Sequence, residues 1–229
     1  MLGVVMKKIG LVIFILVFLS IPLGAKADTI SSFEVKDPIK RGDTQFLMAT
    51  FKLAQTLKTD QVLAFDIKFN WLGHWAPVEI GLLNGKDQKS ISLRFWHYDR
   101  PPECYLLVYT YKAGKILEII ESEESFQQVD TNKFQCQIHL SKDTVFTTIH
   151  REGKVLWRSE ELDFEPEEFE KAFIEVVDTR DEKRQGWIKY DEGNKKIIFH
   201  SQGGGEPTAG YHMDGQVDNI QIFGSSSVK

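Results

Sequence analysis

Apolar and polar residues alternate along most of the chain with a period of two. From Leu63 to Trp71 every second residue is large and apolar, and the residues between them are small or polar. Residues 91–96 and 133–140 repeat this alternation. Because successive side chains of a β-strand point to opposite faces of a sheet, each segment predicts a strand with one core face and one wetter face.

The same reasoning predicts ten further strands, which turn signals such as Asn84-Gly85, Glu152-Gly153 and Glu192-Gly193-Asn194 separate. These strands are predicted at 44–53, 77–83, 103–111, 115–121, 143–150, 154–159, 172–178, 186–190, 195–200 and 216–223. About thirteen strands joined by tight turns predict an all-β protein that forms a single antiparallel β-sandwich.

One segment has a helical rather than a strand signature. Glu165–Ala172 carries Pro166 near the first helical position and Glu167 and Glu168 in the first turn, a composition that suits a helix start. The sequence therefore predicts one short helix that connects strands.

The first 27 residues have the features of a secretory signal peptide. Lys7 and Lys8 precede an apolar run over 9–19, and Ala25-Lys26-Ala27 forms a small-residue cleavage site. The run is shorter than the ~20 residues of a membrane-spanning helix. We expect cleavage after Ala27, leaving a domain over 28–229 that is secreted or periplasmic and has no membrane association.

The composition is that of a globular protein, with 42% hydrophobic and 27% charged residues among 229. The formal net charge is −5, and it becomes −8 after loss of residues 1–27, which contain three lysines and no acidic residue. A surface that binds nucleic acid needs a basic excess. The charge therefore argues against a nucleic-acid partner.

The mature chain has two cysteines, Cys104 and Cys136. In an oxidising compartment an even number of cysteines favours a disulfide, and we predict one between these residues. The alternative is two buried free thiols, since cysteine packs well as a small hydrophobic residue.

Three segments resemble the concanavalin-A-like jelly rolls, a superfamily that includes laminin-G-like domains, legume-type lectins and laminarinase-type glucanases. They are the closing segment Gly215–Phe223, the early segment Leu63–Trp71 and the hairpin within Thr144–Trp157. The resemblance implies a jelly-roll sandwich. It leaves function open, because this architecture supports lectins, hydrolases, lyases and adhesion modules.

The resemblance also bears on metal binding. Members of the superfamily often hold a structural calcium ion with an aspartate of the closing strand, and Asp218 matches that position. Carboxylate oxygens are the ligands that calcium prefers. The alternative is a solvated or turn-capping aspartate, and no other cofactor is expected.

Hydrolase chemistry finds little support in the sequence. The retaining glucanases of this fold carry an E-x-D-x-x-E strand, which the chain lacks. The nearest string, Glu175-Val176-Val177-Asp178, places its carboxyl groups on opposite faces of a strand, whereas a retaining mechanism needs them ~5–5.5 Å apart. No catalytic residue is therefore predicted for a hydrolase.

A lyase is the other enzymatic alternative, and it rests on resemblance. Gln137-Ile138-His139 reproduces a string of alginate-lyase-like jelly rolls, while Tyr109–Gly114 and Ser92–Arg94 echo two others in a different order. Carried over residue by residue, the resemblance implies that Arg94 and Gln137 would neutralise a uronate carboxylate, while His139 and Tyr109 would move protons.

A binding surface is predicted from the alternation alone. Arg94, Trp96 and Tyr98 project from one strand, and Gln137 and His139 project from another. If the two strands share a sheet, they combine aromatic rings with hydrogen-bonding groups, which suits the C–H faces and hydroxyls of a sugar. The alternative is an outer face covered by the helix or a long loop.

We therefore expect a secreted, non-catalytic carbohydrate-binding protein whose partner is a polysaccharide or glycan. Two alternatives stay open: a polysaccharide-active enzyme, either a uronate lyase or a glycoside hydrolase, and a structural or adhesion domain that contacts protein. An open groove on the predicted surface would favour the carbohydrate-binding protein or the enzyme over the structural or adhesion domain.

Overall fold

A computed structural model describes most of the chain after the predicted signal peptide. The described residues are 30–41, 44–73, 76–96, 103–125, 133–165, 167–178, 185–203 and 212–224. They form sixteen β-strands. The strands are Ile30–Val35 (β1), Ile39–Arg41 (β2), Thr44–Leu57 (β3), Gln61–Leu72 (β4), Val78–Leu83 (β5), Lys89–Trp96 (β6), Glu103–Lys112 (β7), Lys115–Ser125 (β8), Lys133–Leu140 (β9), Thr144–Arg151 (β10), Lys154–Arg158 (β11), Leu162–Asp163 (β12), Phe169–Asp178 (β13), Trp187–Asp191 (β14), Lys196–Gln202 (β15) and His212–Gly224 (β16).

The strands form two antiparallel sheets, which we call sheet A and sheet B. Sheet A has the order β1-β3-β13-β5-β6-β7-β8, with β2 beside β3. Sheet B has the order β11-β10-β9-β4-β16-β15-β14, with β12 beside β10. The predicted all-β antiparallel sandwich is confirmed. The inner strands β13 and β16 come from the last third of the chain and pair with β3 and β4 from its first third. Each sheet therefore depends on contacts between distant parts of the sequence.

A single hydrophobic core lies between the sheets and is built from the predicted core faces. Ile67 of sheet B and Leu93 of sheet A are both fully buried in it. The rings of Phe69 in β4 and Phe95 in β6 pack edge to face across the sheets, with centroids 5.2 Å apart. Burial of such side chains contributes about 1.5–3 kcal/mol each, which makes this layer the main source of stability.

Two hairpins turn on residues with positive φ. Glu152 and Gly153, between β10 and β11, have φ of 51° and 76°, and Ala113 and Gly114, between β7 and β8, have φ of 52° and 76°. Two successive positive φ angles define the type I′ turn that matches the twist of a two-residue hairpin. The turn predicted at Glu152-Gly153 is thus confirmed.

The predicted helix is wrong. Its second half, Phe169–Ala172, is the beginning of strand β13, and no helix forms anywhere in the residues that the structure describes. Phe169 is fully buried, and β13 is bonded to β3 on one side and β5 on the other. Pairing on both edges outweighs a local helix preference, because a short helix carries a high nucleation cost. Within the described part of the chain, no helix is long and apolar enough to span a bilayer.

Three short strands were not predicted. β1 and β2 are largely exposed and lie at the edge of sheet A, and β12 has two residues. None of them carries the alternation of apolar residues by which the other strands were recognised. One of them matters for the site below, because β2 ends in Arg41.

Both cysteines are free thiols in the structure, and both are fully buried. Cys104 lies in β7 of sheet A and Cys136 lies in β9 of sheet B, so the two residues face the same core from opposite sheets. Burial raises the pKa of each thiol, and the neighbouring Cys136 adds to the rise for Cys104. The predicted disulfide is absent, and the arrangement is the one named as the alternative.

Candidate functional site

Buried charges line up across the outer face of sheet A. Glu175 in β13 lies directly opposite Glu79 in β5, and Glu79 lies opposite Arg94 in β6. The side chains alternate with core residues such as Ile80 and Leu93, which places the charged row on the side away from the core. Glu79 and Glu175 are only 4% and 3% exposed. Carboxylates buried to this extent require close cationic partners.

Lys89 links the two carboxylates. Its Nζ lies 3.0 Å from Oε1 of Glu79 and 2.7 Å from Oε1 of Glu175, and it is itself buried. Its Nζ lies over the ring of Phe173, 5.0 Å from the centroid. A single ammonium therefore neutralises the repulsion between two carboxylates that face each other across strands β5 and β13.

Two arginines bind the same carboxylates from the solvent side. Arg94 donates from Nε and Nη2 to Oε2 of Glu79, at 3.3 and 3.1 Å. Arg41 donates from Nη1 and Nη2 to Oε1 and Oε2 of Glu175, at 3.2 and 3.1 Å. The arginine side chains are 25% and 44% exposed. The positive charge therefore lies nearer to solvent than the negative charge beneath it.

Two hydroxyl groups complete the surroundings of Glu79. Ser92 Oγ donates to Oε1 at 2.8 Å, and the Tyr109 hydroxyl donates to the same oxygen. Burial alone raises the pKa of Glu79, but the charges of Lys89 and Arg94 and the Tyr109 hydrogen bond outweigh it and lower the pKa to about 2. Burial and the Glu79 charge raise the pKa of Tyr109. Glu79 therefore stays ionised and Tyr109 stays protonated at neutral pH.

A cavity of about 350 Å³ opens above this charged row. The carboxylates form its floor and the two arginines form part of its walls. The apolar part of the lining comes from Phe46, Pro77, Trp96 and Val177, with Thr44 beside them. Pockets for small ligands have this combination of apolar walls and a few oriented polar groups, and volumes from about 300 Å³ upward.

Gln137 and His139 lie on a different surface, the outer face of sheet B. Nε2 of His139 is 3.0 Å from Oγ1 of Thr148, which donates to Oε1 of Gln137 at 3.3 Å. The imidazole stacks on Phe146, with ring centroids 4.3 Å apart. Burial, the charge of Arg158 and a smaller effect of His150 lower the pKa of His139 to about 4. His139 is therefore a neutral, packed histidine at pH 7.

The structure thus divides the predicted binding set. Arg94 and Trp96 are on sheet A and line the cavity, whereas Gln137 and His139 are on sheet B. The condition that the two strands share a sheet is not met. Tyr98 lies outside the described residues.

The lyase set is divided in the same way. Arg94 and Tyr109 meet at Glu79, but His139 and Gln137 are on the outer face of the other sheet. The four side chains implied by the lyase resemblance do not surround one space. A proton-transfer pair of Tyr109 and His139 is therefore not formed.

Glu79, Lys89 and Arg41 were not predicted as site residues. Glu79 carried a usable signal, because it is a charged residue inside the apolar strand Val78–Leu83. A charge in such a strand is either at a bend or paired within the protein. The prediction for Glu175 and Asp178 is confirmed: Glu175 points to the charged row, whereas Oδ1 of Asp178 accepts a hydrogen bond from the Gly186 N–H at 3.0 Å.

The calcium site at Asp218 stays a prediction, and its surroundings offer few ligands. Oδ1 of Asp218 is buried without a hydrogen-bond partner, and Oδ2 accepts a hydrogen bond from Gln216 at 3.3 Å. Asp66 lies opposite in β4, but Lys133 binds it at 3.0 Å and supplies positive charge there. Among the described residues, no group of three or more acidic, histidine or cysteine side chains has the arrangement of a metal site.

No protein-family model matches the sequence, and a search of curated proteins finds no match. Several solved structures are similar in fold. A legume lectin-like domain from Entamoeba histolytica has a TM-score of 0.49 and 8% identity, with 84% of this chain and 89% of that chain covered. A glycosyl hydrolase family 16 protein from Mycobacterium smegmatis has a TM-score of 0.43 and 16% identity, with 84% and 76% covered. Congerin II liganded by lactose and MES has a TM-score of 0.39 and 13% identity, with 58% of this chain and 96% of that chain covered.

Proposed function

We propose that this protein binds a carbohydrate, without catalysis, in the cavity on the outer face of sheet A. In this proposal Trp96 stacks on the C–H face of a sugar ring and Arg94 donates hydrogen bonds to it. The secretion expected from residues 1–27 is part of the proposal, since an exported protein meets extracellular glycans.

The observation that carries the proposal is the lining of the cavity. Phe46 and Trp96 supply aromatic surface, and Arg41 and Arg94 supply N–H donors whose orientation is set by the carboxylates beneath them. Sugars combine apolar C–H faces with hydroxyls that need directional partners, so both kinds of group are used. Guanidinium groups held from below lose little freedom on binding, which favours recognition of a rigid ring.

A glycoside hydrolase is the second candidate, and one observation favours it. Glu79 and Glu175 both accept hydrogen bonds from Lys89, so their nearest oxygens are at most about 6 Å apart, a limit that is compatible with the ~5–5.5 Å between carboxyl groups in retaining glycosidases. The environment of Glu79 argues against it. Its pKa is lowered to about 2, and a general acid must hold a proton near the operating pH.

The experiment is a glycan-array screen followed by titration of the best ligand into wild-type and variant proteins. We expect affinities in the micromolar to millimolar range, about −4 to −8 kcal/mol, because few groups contact the ligand. Trp96→Ala should weaken binding about tenfold or more, since stacking adds up to ~1.5 kcal/mol beyond the buried area. Incubation of each bound glycan with the protein, followed by product analysis, tests for hydrolysis.

Two control variants keep the result interpretable. Trp187→Ala removes an exposed tryptophan of sheet B and should leave affinity unchanged. Leu93→Ala removes a fully buried side chain and should cost about 2–5 kcal/mol of stability without changing the affinity of the folded fraction. If Trp96→Ala binds as well as wild type, the glycan does not stack on Trp96 and the proposed site fails. If no glycan binds at all, the proposed function fails and the structural or adhesion alternative is favoured. Turnover of a bound glycan that Glu175→Gln abolishes would instead establish the hydrolase.

A further inference from the structure

The charges of the five-group network on sheet A do not balance. Lys89, Arg41 and Arg94 supply three positive charges, and Glu79 and Glu175 supply two negative charges. The lysine and both carboxylates are buried, whereas the arginines reach the cavity wall. The two guanidinium groups and the two carboxylates that line the cavity balance each other, and Lys89, buried between the carboxylates, adds one positive charge. A ligand in the cavity therefore meets the guanidinium groups of a network that has one net positive charge. In a site with restricted access to water, such a charge is screened less than on an open surface.

Each guanidinium also has N–H donors that the network does not use. An arginine carries five N–H groups in a fixed fork, and Arg41 and Arg94 each place two of their nitrogens on the carboxylate below. Among the described residues, no acceptor other than Glu79 and Glu175 takes a hydrogen bond from these two side chains. The fork geometry suits the paired oxygens of a carboxylate or a sulfate.

The two ends of the cavity differ in charge. At the Trp96 end, the neighbouring strand β7 places Glu103 opposite Trp96, and the Tyr105 hydroxyl donates to Glu103 at 2.5 Å. At the other end, Arg41 lies in β2, which pairs with β3 and is four strands away from β6, the strand of Trp96. Its guanidinium stacks on Phe46, with Cζ 4.9 Å from the ring centroid. An anionic group is therefore favoured at the Arg41 end, and the uncharged face of a ring is favoured at the Trp96 end.

We propose that the ligand of this cavity is an acidic sugar, whose carboxylate or sulfate group binds Arg41 while its ring lies toward Trp96. This inference rests on the carbohydrate-binding function proposed above and assigns the class of its ligand. Arg41 is then the specificity-determining residue for the anion, and Trp96 contributes to affinity for any sugar that enters the cavity.

The test uses pairs of probes that differ only in charge. A galacturonate trisaccharide is compared with its methyl ester, and a sulfated galactose oligosaccharide is compared with its desulfated form, each titrated into the full chain. Wild type should bind the acid of at least one pair tenfold or more tightly than its neutral partner. The pair that shows the difference identifies carboxylate or sulfate as the group bound. Raising the salt concentration from 50 to 500 mM should weaken binding of the acid and leave the neutral partner unchanged.

Variants separate the two roles. Arg41→Gln should bring the ratio between acid and neutral partner close to one, whereas Trp96→Ala should weaken both partners by the same factor. Arg158→Gln, which removes a similarly exposed arginine from sheet B, should change neither. If Arg41→Gln does not fold, Arg41→Lys serves instead. It keeps the charge but loses the fork, so the ratio should fall and stay above one.

Each failure points to one proposal. Equal binding of acid and neutral partner by wild type, or an unchanged ratio in Arg41→Gln, overturns the acidic-ligand inference and leaves carbohydrate binding intact. Binding of neither pair, with another glycan bound on the array, also overturns only this inference. Absence of binding to every glycan overturns the proposed function itself, and the inference falls with it.

Discussion

The outer faces of the two sheets both carry polar and aromatic side chains, but the polar groups of the two faces find their partners in different ways. On sheet A, five charged groups form a continuous network beneath a cavity of about 350 Å³. On sheet B, His139 is neutral and packed between Phe146 and its strand neighbours, and Arg158 covers Phe146 with Cζ 3.9 Å from the ring centroid. On sheet A buried charge borders the cavity, whereas around His139 on sheet B the space is filled by stacked rings.

This difference shows where ligand chemistry is to be expected. His139 is already engaged within the protein, by its stack on Phe146 and its contact with Thr148, and Oε1 of Gln137 accepts a hydrogen bond from Thr148. The arginines of sheet A have used only part of their hydrogen-bonding capacity. Buried ion pairs also cost desolvation energy that an apolar replacement would avoid, so their presence under a cavity is better explained by binding than by stability.

The largest expected effect comes from breaking the network at its centre. Lys89→Met leaves Glu79 and Glu175 facing each other without the ammonium between them, and we expect a loss of about 3–5 kcal/mol, the usual cost of removing one partner of a buried pair. Urea unfolding at pH 7 measures it. Lys133→Met is the matched control on sheet B, because Lys133 binds Asp66 at 3.0 Å but is 56% exposed. It should cost no more than about 1 kcal/mol. Equal costs for the two variants would mean that the sheet A network is not a buried unit.

The two faces should also lose stability in different pH ranges. His139 has its pKa lowered to about 4, so the unfolded chain binds its proton first and stability falls as the pH drops from about 6.5 to 4. Glu79 has its pKa lowered to about 2, so its contribution is complete above about 4.5 and is lost only as the pH falls from there toward 2.

His139→Phe isolates the first of these ranges. The phenyl ring keeps the stack on Phe146 but cannot be protonated. When the pH falls from 7 to 5, the unfolding free energy of the variant should therefore decrease by about 2 kcal/mol less than that of wild type. Unfolding free energies at the two pH values measure the difference. The same loss in both proteins would show that His139 titrates normally and is not packed as described.

The smallest difference is expected between two arginines of similar exposure. Arg41→Gln removes a bidentate partner from the buried Glu175 and should cost about 1.5–3 kcal/mol, as for hydrogen bonds to charged groups. Arg158→Gln removes a cation from the face of Phe146 and an exposed partner from Glu161, and should cost about 0.5–1 kcal/mol. Thermal unfolding resolves this gap. A reversed order would place the tighter network on sheet B.

Most strands of the fold follow from the local sequence pattern, and the segment predicted as a helix is the exception. Strands such as Gln61–Leu72 and Lys133–Leu140 followed from alternation, because the period of two is a property of the strand itself. Glu165–Ala172 has the proline and acidic residues of a helix start, although strand pairing on both edges decided the structure of its second half, Phe169–Ala172. Local propensity is a weak guide where tertiary pairing competes with it.

The candidate site shows the same division. The sequence by itself determined that Arg94 and Trp96 share a face opposite Leu93, and that Glu175 and Asp178 do not share one. Only the tertiary structure decided which strands lie side by side. It brought Arg41 to Glu175 across 134 positions and Lys89 to Glu175 across 86, and it put Gln137 and His139 on the opposite side of the sandwich. Alternation specifies the side of a strand on which a residue lies, but strand order depends on contacts between distant segments, which a local pattern does not encode.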